Sequence, residues 1–391
     1  MGDSSRFLSK QVVDIAPSGI RKFFDIVSEM PEAISLGVGE PDFDTPWKVR
    51  EEAIYSLERG RTFYTSNAGL KELRQAICDY SERKYALHYD EKECIVTIGG
   101  SEAIDIAMRA ILNPSDEVIV AEPCYVSYYP CVTLAGGVAV SLPLKAENEF
   151  KLTVEDLESV VTDKTKAVIM CFPNNPTGAI MTKEELEPIA DYIKEKDLLI
   201  LSDEIYGELT YGKPHYSIGA FPDMKERTIV VNGFSKAFAM TGWRLGYALA
   251  PRDIMRQMVK IHQFTIMAAP TISQYAGIEA LKHCDYEVEE MRTAYNQRRR
   301  YLLKAFERMD LPCFEAKGAF YLFPCIKEFG ISSEDFAMQL LEAEELAVVP
   351  GSAFGACGEG FIRISYAYSI QELKEAMTRI ERFITKLREN Q

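Results

Sequence analysis

Short apolar runs alternate with longer amphipathic stretches through the middle of the chain. The apolar runs lie near residues 95, 118, 167, 199 and 229, and their length and β-branched content predict buried strands. The stretches between them are predicted helices, with residues 103–112 and 183–196 as examples. Buried strands joined by helical segments indicate an α/β fold with a largely parallel sheet that is covered on both faces.

Helices are also predicted on both sides of this alternating region. Residues 70–85 form a charged amphipathic helix, and after Pro251 the chain is again helical, with a long charged segment at 286–309. The segment 18–30 carries one apolar face at helical spacing, made of Ile20, Phe23, Phe24 and Val27.

A second set of elements follows towards the C-terminus. Strands are predicted at 318–323, 346–350 and 361–366, and helices at 334–345 and 371–387. Because 391 residues exceed what one hydrophobic core usually serves, we expect two lobes rather than one.

The composition is that of an ordinary globular protein, with 47% hydrophobic and 26% charged residues. A net charge of -15 disfavours nucleic acid and anionic membrane as partners, because both require a basic surface. No apolar run approaches the roughly 20 residues that a membrane span needs, and the N-terminal residues contain no apolar signal core. We therefore expect a cytoplasmic protein that is not membrane-bound.

The cysteines and histidines point away from metal chemistry. The nine cysteines are an odd number without a C-x-x-C spacing, which predicts reduced, mostly buried thiols rather than disulfides or a zinc site. The four histidines are scattered at no metal-like interval. We therefore expect no metal.

Five polar or aromatic residues follow predicted strands at the points where these strands end, namely Ser101, Tyr125, Asn175, Asp203 and Lys236. In sheets of this kind ligands bind beyond the carboxyl ends of the strands. Since parallel strands end at the same edge of a sheet, the five residues are expected to converge there. The sequence therefore predicts a ligand-binding site at this edge.

Lys236 is the candidate nucleophile. It lies in a turn after the strand at 228–231, next to Ser235 and upstream of Arg244. An amine forms an imine with an aldehyde, while a hydroxyl and a guanidinium hold phosphate. This combination suits a phosphorylated aldehyde, and pyridoxal phosphate is the obvious one. The alternative is a solvated surface lysine, as most lysines are.

Three other candidates each allow a functional and a structural interpretation. The turn at 99–102, Gly-Gly-Ser-Glu before a helix, binds phosphate or is a plain tight turn. Asp203 pairs with a cationic ring or caps a helix, and Tyr206 can lie on the same side. Arg363, inside an apolar strand, pairs with a protein acid or with a ligand carboxylate.

Two further residues are open in the same way. Tyr125 stacks on a flat ring or packs at the rim of the core. Gly39 lets a ligand carboxylate approach its amide or serves the geometry of its turn. Asn175 lies in a rigid Asn-Pro-Thr-Gly turn that holds its amide in a fixed direction.

Five motifs stand in an order and spacing typical of one enzyme family: LGVGEPDF at 36–43, NNPTG at 174–178, SDEIY at 202–206, SKAFAMTGWRLGY at 235–247 and FIRISYA at 361–367. Over nearly its whole length the chain resembles the fold-type-I, class I/II pyridoxal-phosphate aminotransferases, particularly the bacterial aspartate, aromatic and broad-specificity branch. The resemblance implies a large domain with a mostly parallel sheet between helices and a smaller α/β domain from both termini. The expected bounds are 1–45 for the N-terminal segment that contributes to the small domain, 46–285 for the large cofactor-binding domain and 286–391 for the small C-terminal domain.

The resemblance also implies what the central residues do. Lys236 would hold the cofactor as a Schiff base and move the Cα proton during ping-pong transfer from an L-amino acid to 2-oxoglutarate. Asp203 would keep the pyridine nitrogen protonated, so that the ring accepts electrons. Tyr206 and Asn175 would donate to the phenolic oxygen of the ring, and Tyr125 would stack on it.

The remaining roles concern phosphate, carboxylate and the neighbouring subunit. The residues implied to hold the phosphate are Gly100, Ser101, Glu102, Ser235 and Arg244. Arg363 would bind the substrate α-carboxylate, with Asn175 and the Gly39 amide nearby. Tyr64 would reach the phosphate of a second subunit, which implies a homodimer with shared active sites.

One departure from the family pattern concerns the amino donor. Bacterial aspartate-type relatives often carry Lys where this chain has Ser101, and that lysine can attract a second carboxylate. A dicarboxylate donor is therefore less favoured than an aromatic, aliphatic or modified diamino donor, although Arg21 or Arg109 could replace the charge. Two alternatives to amino transfer use the same fold: a carbon–sulfur β-lyase and a non-catalytic regulator that senses the cofactor. The intact NNPTG turn and the TGWRLGY segment favour a transaminase over a lyase, and the lack of a basic N-terminal module disfavours a regulator.

Overall fold

The computed structural model describes residues 5–16, residue 30 and residues 32–390. The predicted helix at 18–30 and Arg21 lie outside these residues, apart from Met30. Strands in the described part are numbered in chain order: β1 (Ile34–Ser35), β2 (Cys94–Thr97), β3 (Glu117–Glu122), β4 (Val138–Pro143), β5 (Thr165–Cys171), β6 (Leu199–Asp203), β7 (Thr228–Gly233), β8 (Gly246–Leu249), β9 (Tyr321–Leu322), β10 (Leu346–Ala347), β11 (Val349–Pro350) and β12 (Ile362–Ser365).

A seven-stranded sheet forms the centre of the molecule, in the spatial order β2-β8-β7-β6-β5-β3-β4. The pairs from β7 through β6, β5 and β3 to β4 are all parallel. Strand β8 is antiparallel to both of its neighbours, so β2 runs in the same direction as the other five strands. The predicted parallel α/β sheet is confirmed, and the carboxyl ends of six strands share one edge.

Helices cover the sheet and close the chain. In the described residues they are α1 (Lys10–Val13), α2 (Trp47–Glu58), α3 (Lys71–Tyr85), α4 (Gly100–Ile111), α5 (Tyr128–Leu134), α6 (Val154–Glu158), α7 (Lys183–Glu195), α8 (Arg252–Thr265), α9 (Thr271–His283), α10 (Asp285–Arg308), α11 (Ser333–Glu344) and α12 (Ile370–Glu389). Reciprocal caps fix some of the starts: Thr182 and Glu185 form a capping box at α7, and Ser369 and Glu372 form one at α12.

Both faces of the sheet are buried, as the continuous apolar strands require. Along β6 the consecutive residues Ile200 and Leu201 are both buried but belong to different hydrophobic clusters. Val230 and Val231 in β7 alternate in the same way. Because side chains of a strand point alternately to opposite faces, each strand contributes to a core on either side.

The predicted strand at 346–350 is in fact two strands in two small sheets. Strand β10 pairs in parallel with β1 from the N-terminal part of the chain, whereas β11 joins β12 and β9 in an antiparallel sheet. Residues from both ends of the chain thus lie in the same smaller α/β unit. The domain bounds at residues 45 and 285 remain predictions.

Two further findings concern the cysteines and the possibility of a membrane-spanning helix. The cysteines are free thiols and most of them are buried. Among the described residues, no helix has the length and apolar character needed to cross a membrane.

Candidate active site

A cavity of about 610 Å³ opens at the carboxyl edge of the central sheet. It is lined by Gly39, Gly100, Ser101, Tyr125, Asn175, Asp203, Tyr206, Ser235, Lys236, Arg244 and Arg363, all of them residues singled out from the sequence. The convergence expected for the five strand ends is therefore present. Tyr64 and Glu102 are the two predicted site residues that do not line this cavity.

Lys236 lies in the turn after β7 and projects its amine into the cavity. Its Nζ donates a 2.6 Å hydrogen bond to the carbonyl oxygen of Gly39. Burial lowers the pKa of Lys236 to about 8, and the charges of Arg363 and Arg244 act in the same direction, while Glu40 opposes them. An amine with this pKa is partly neutral near physiological pH, and the neutral amine is the nucleophile.

Asp203 ends β6 and is buried in the same cavity. Its Oδ2 accepts a 2.7 Å hydrogen bond from the hydroxyl of Tyr128, and its Oδ1 accepts from the amide of Ile205 at 3.2 Å. Residues 205–208 form a turn and not a helix, so Asp203 is not a helix cap. Burial raises its pKa to about 6, with the Tyr128 bond acting against that rise. A buried carboxylate without a cationic partner among the described residues is suited to a cationic ligand.

Arg363 in β12 presents a guanidinium that meets no protein carboxylate within the described residues. Its Nη1 donates to Asn175 Oδ1 at 2.8 Å and its Nη2 donates to the carbonyl oxygen of Gly37. Its Nε is buried and has no hydrogen-bond partner in this part of the chain. An unused donor on a permanent cation favours a ligand carboxylate over a structural ion pair.

The Gly99-Gly100-Ser101 turn delivers the N-terminus of α4 to the cavity. A Cβ atom on Gly99 would lie 2.8 Å from Nη2 of Arg244, so the missing side chain makes room for that guanidinium. Ser235 and Thr241 also line the cavity, and Arg244 Nη1 donates to the Thr241 carbonyl oxygen at 2.9 Å. Unpaired helix amides together with an arginine form a site for a phosphate group.

Glu102 turns away from the cavity. One carboxylate oxygen accepts from the amide of Ile98 at 2.7 Å, and the other lies 2.5 Å from Nδ1 of His262, which is fully buried in α8. Its side chain therefore fastens the turn to the neighbouring helix. The backbone amide remains the part of Glu102 that is available for phosphate.

Three further predicted residues lie away from the cavity or outside the described chain. Tyr64 is 83% exposed, beside Phe63, which is 81% exposed. Arg109 forms a 2.8 Å ion pair with Asp105 on the same helix. Arg21 is not described, so within the described residues neither proposed substitute for the missing lysine charge contributes to the cavity.

Sequence reasoning missed several residues that line the cavity. Tyr128 and Tyr321 are buried and bring hydroxyls to it, while Phe354 and Val126 bring apolar surface. Tyr128 begins α5 three residues after Tyr125, and this closeness in the sequence is the local signal that was available. For Tyr321 the only signal was its strand, which pairs with the strand of Arg363.

The lining as a whole fits a flat, phosphorylated cationic aldehyde. The amine of Lys236 and the unpartnered carboxylate of Asp203 face one cavity, and the α4 N-terminus with Arg244 provides its anion-binding end. Arg363 adds an unused donor for a second, carboxylate-bearing molecule. The donor set therefore suits pyridoxal phosphate together with an amino acid.

Comparison with known proteins agrees with this chemistry. A family model described as aminotransferase class I and II matches residues 31–380. A putative aminotransferase, YugH, of Bacillus subtilis (strain 168) is 53% identical, with 97% of this chain and 99% of the relative covered. An aspartate aminotransferase of Pyrococcus abyssi (strain GE5 / Orsay) is 46% identical over 95% of this chain and 96% of its own. The crystal structure of an aromatic aminotransferase from Pyrococcus horikoshii OT3 superposes with a TM-score of 0.89 at 46% identity, covering 93% of this chain and 99% of that one.

Proposed function

Because the chain belongs to the class I and II aminotransferases, which are pyridoxal-phosphate-dependent enzymes, we propose that it moves an amino group from an L-amino acid to 2-oxoglutarate by a ping-pong mechanism. The observation that carries this proposal is that Lys236 and Asp203 line the same cavity. The amine is available as a nucleophile, and the carboxylate lacks a cationic partner in the described chain.

The cofactor, when bound, supplies an aldehyde carbon for an amine and a protonated ring that accepts electrons from the substrate Cα. Lys236 would hold the aldehyde of the cofactor through its Nζ. When an incoming amino acid frees that amine, Lys236 would take and return the Cα proton, since a pKa of about 8 lets the amine act as base and acid near neutral pH.

Asp203 holds the proton on the ring nitrogen. A carboxylate in a dry site strengthens its interaction with a cation, because the low dielectric screens the charges poorly. Tyr128 supports the ionised form by donating to Oδ2. Tyr206 and the amide nitrogen of Asn175 would donate to the phenolic oxygen of the ring, and Tyr125 would stack on its face. All three line the cavity.

The phosphate and carboxylate sites orient the reactants. Ser235, Arg244 and the Gly100-Ser101-Glu102 turn hold the phosphate, with Glu102 contributing its backbone amide. Arg363 binds the substrate α-carboxylate through its unused donor, next to Asn175 and the Gly39 amide. With both anions held in this way, the Cα of the substrate would lie within reach of Lys236.

The lining favours an aromatic or aliphatic amino donor. The cations that line the cavity in the described chain are Lys236, Arg244 and Arg363, and each already has a role. A distal carboxylate would therefore meet Ser101 instead of a positive charge. Val38, Val126 and Phe354 add apolar surface to the lining, which suits an apolar side chain.

The enzyme acts as a homodimer in which Tyr64 of each subunit reaches the phosphate site of the other. Large hydrophobic side chains are exposed along α2 and near the end of α8, including Trp47, Leu57 and Phe264. Tyr64, which follows α2 in the sequence, is exposed as well. Exposed apolar surface of this kind is typical of a protein interface.

The test is a donor panel with spectroscopy. Purified protein should show a visible absorbance band that borohydride abolishes, and Lys236→Ala should lack it. Amino acids of aromatic, aliphatic and acidic types are then assayed against 2-oxoglutarate, and L-cysteine is included so that pyruvate and sulfide release can be followed in parallel. A protein that binds no pyridoxal phosphate, or one that releases pyruvate and sulfide but forms no glutamate, would refute the proposal.

A further inference from the structure

Tyr321 contacts the proposed ring-oxygen donor directly. Its hydroxyl lies 2.9 Å from the hydroxyl of Tyr206, and both side chains are buried. Each phenol carries one proton, so only one of the two can donate within this pair. If Tyr321 donates, the proton of Tyr206 is free to point into the cavity.

The charge of Arg363 favours Tyr321 as the donor of the pair. Burial raises the pKa of both phenols, so both stay protonated in the working pH range. At Tyr321 the positive charge of Arg363 is the largest effect that lowers the pKa. At Tyr206 the neighbouring phenol of Tyr321 instead raises the pKa further. The more acidic phenol is the stronger hydrogen-bond donor.

The ring of Tyr321 makes a second, separate contact. The guanidinium carbon of Arg363 lies 4.5 Å from its centroid and 4.8 Å from that of Phe354. The hydrogen bonds of Arg363 to Asn175 and Gly37 fix the positions of Nη1 and Nη2, and the aromatic contacts restrict the orientation of the guanidinium plane.

Gly39 shows how closely Tyr321 is fitted. A Cβ atom at Gly39 would lie 2.2 Å from the Tyr321 hydroxyl, and the φ of Gly39 is not in the positive range. The glycine is therefore required for space and not for turn geometry. Its carbonyl oxygen accepts from Lys236 Nζ, so the hydroxyl of Tyr321 also lies beside the segment that orients the amine.

We propose that Tyr321 is a positioning residue with two separable contributions: its hydroxyl donates to Tyr206 and so directs the Tyr206 proton at the cofactor, and its ring holds the plane of Arg363 for the substrate carboxylate. This inference rests on the proposed function. It predicts that the two contributions affect different measurements.

The experiment compares Tyr321→Phe, Tyr321→Leu and the matched control Phe354→Leu in the enzyme loaded with pyridoxal phosphate. Visible absorbance is titrated against pH, and kcat and KM are measured with a saturating oxo acid. A hydroxyl that donates to the ring oxygen stabilises its anion, so weakening that donor raises the spectroscopic pKa. Tyr321→Phe should raise it by about half a unit to one unit and lower kcat, with KM for the amino donor changed less than about twofold.

The two leucine variants separate the ring from the hydroxyl. Tyr321→Leu should show the same spectroscopic shift and, in addition, a KM raised about tenfold, because Arg363 loses an aromatic contact in a desolvated site. Phe354→Leu should raise KM and leave the spectroscopic pKa in place. If Tyr321→Leu does not fold, Tyr321→Met, which fills more of the ring's volume, replaces it.

Two results would overturn the inference. One is a Tyr321→Phe enzyme with the wild-type spectroscopic pKa and kcat. The other is a Tyr321→Leu or Tyr321→Met enzyme whose KM equals that of Tyr321→Phe. Failure of the proposed function looks different, since the wild-type protein itself would then lack the borohydride-sensitive band or would form no glutamate.

Discussion

The hydroxyl of Tyr128 donates a 2.7 Å hydrogen bond to Oδ2 of Asp203, and both side chains are buried. The phenol does not ionise in this setting, because burial and the nearby carboxylate raise its pKa far above the ordinary value. Tyr128 is therefore a permanent donor to the carboxylate on which the proposed electron sink depends.

Removing that donor should weaken catalysis less than removing the carboxylate. We expect Tyr128→Phe to lower kcat about tenfold, the value of one hydrogen bond to a charged group, and to move the acid limb of the pH profile upwards. Asp203→Asn should retain the cofactor and lose about 100-fold or more. Steady-state kinetics from pH 5 to 9 test both. Equal losses in the two variants, or full activity of Asp203→Asn, would contradict the assignment.

Asp203 also makes the cofactor-free protein sensitive to pH. Its folded pKa of about 6 lies above the value near 3.8 expected in the unfolded chain, so the native state binds the extra proton. Stability contributed by this group is present below about pH 4 and is lost as pH rises through about 6, to a total of about 3 kcal/mol.

Asp203→Asn should therefore stabilise the cofactor-free protein at pH 8 and not at pH 4, relative to wild type. Urea unfolding of both proteins at several pH values measures the difference in their free energies of unfolding. The contributions of the other titrating groups cancel in this difference. A difference that does not change with pH would contradict the buried, unpaired state of the carboxyl group. Pyridoxal phosphate should reverse the order of stability, because its ring nitrogen supplies the missing cation.

The lowered pKa of Lys236 predicts that the rate of cofactor uptake depends on pH. With a pKa of about 8, its neutral fraction grows as pH rises through that value. The rate at which the cofactor-free enzyme takes up pyridoxal phosphate covalently should rise accordingly, and at pH 6 it should be about 100-fold below the plateau. Stopped-flow absorbance measures this rate, with Lys236→Arg as the control that forms no band. A rate that is flat from pH 6 to 9 would exclude Lys236 as the attacking amine.

The sequence predicted this edge of the sheet well because the relevant signals are local. An apolar strand followed by a polar residue, as at Asp203 and Lys236, places that residue at a strand end whatever the rest of the chain does. Strands β4 and β8 were not predicted, because neither has a clear local signal in the sequence. The former is an edge strand with several exposed positions, and the latter has four residues directly after a turn.

Contacts between distant segments were not available from the sequence. The partners of Asp203, Tyr206 and Glu102 are Tyr128, Tyr321 and His262, each far away along the chain. Their meeting depends on how helices and the small sheets dock on the central sheet. Glu102 is an example, since its place in the turn did not reveal that a buried histidine takes up its carboxylate.

The exposed Tyr64 makes a prediction about shared sites. Subunits carrying Tyr64→Ala and subunits carrying Lys236→Ala should each be weak or inactive alone. In a mixed dimer one site combines Lys236 of the first subunit with Tyr64 of the second and is complete. Since random exchange gives half mixed dimers with one intact site each, about a quarter of wild-type sites should return.

Activity and the borohydride-sensitive absorbance of the refolded mixture measure this recovery. Two mixtures serve as controls, one of wild type with Lys236→Ala and one of Lys236→Ala with the double variant Tyr64→Ala/Lys236→Ala. Activity of the test mixture that merely equals the average of its two components would exclude a site completed by Tyr64 across the dimer.

Ser101 provides the test of donor preference. It lies at the start of α4, lines the cavity and has its hydroxyl 3.2 Å from that of Tyr125. Introducing a cation here should favour a donor with a distal carboxylate, because an opposite charge in a partly desolvated site is worth about a factor of ten. We expect Ser101→Lys to raise kcat/KM for aspartate relative to phenylalanine by about tenfold, and Ser101→Met, similar in length but uncharged, to leave that ratio near wild type.

If both variants shift the ratio equally, side-chain length and not charge governs the choice of amino donor. If wild type already prefers aspartate, the cation that binds its distal carboxylate must come from the partner subunit or from the segment that contains Arg21.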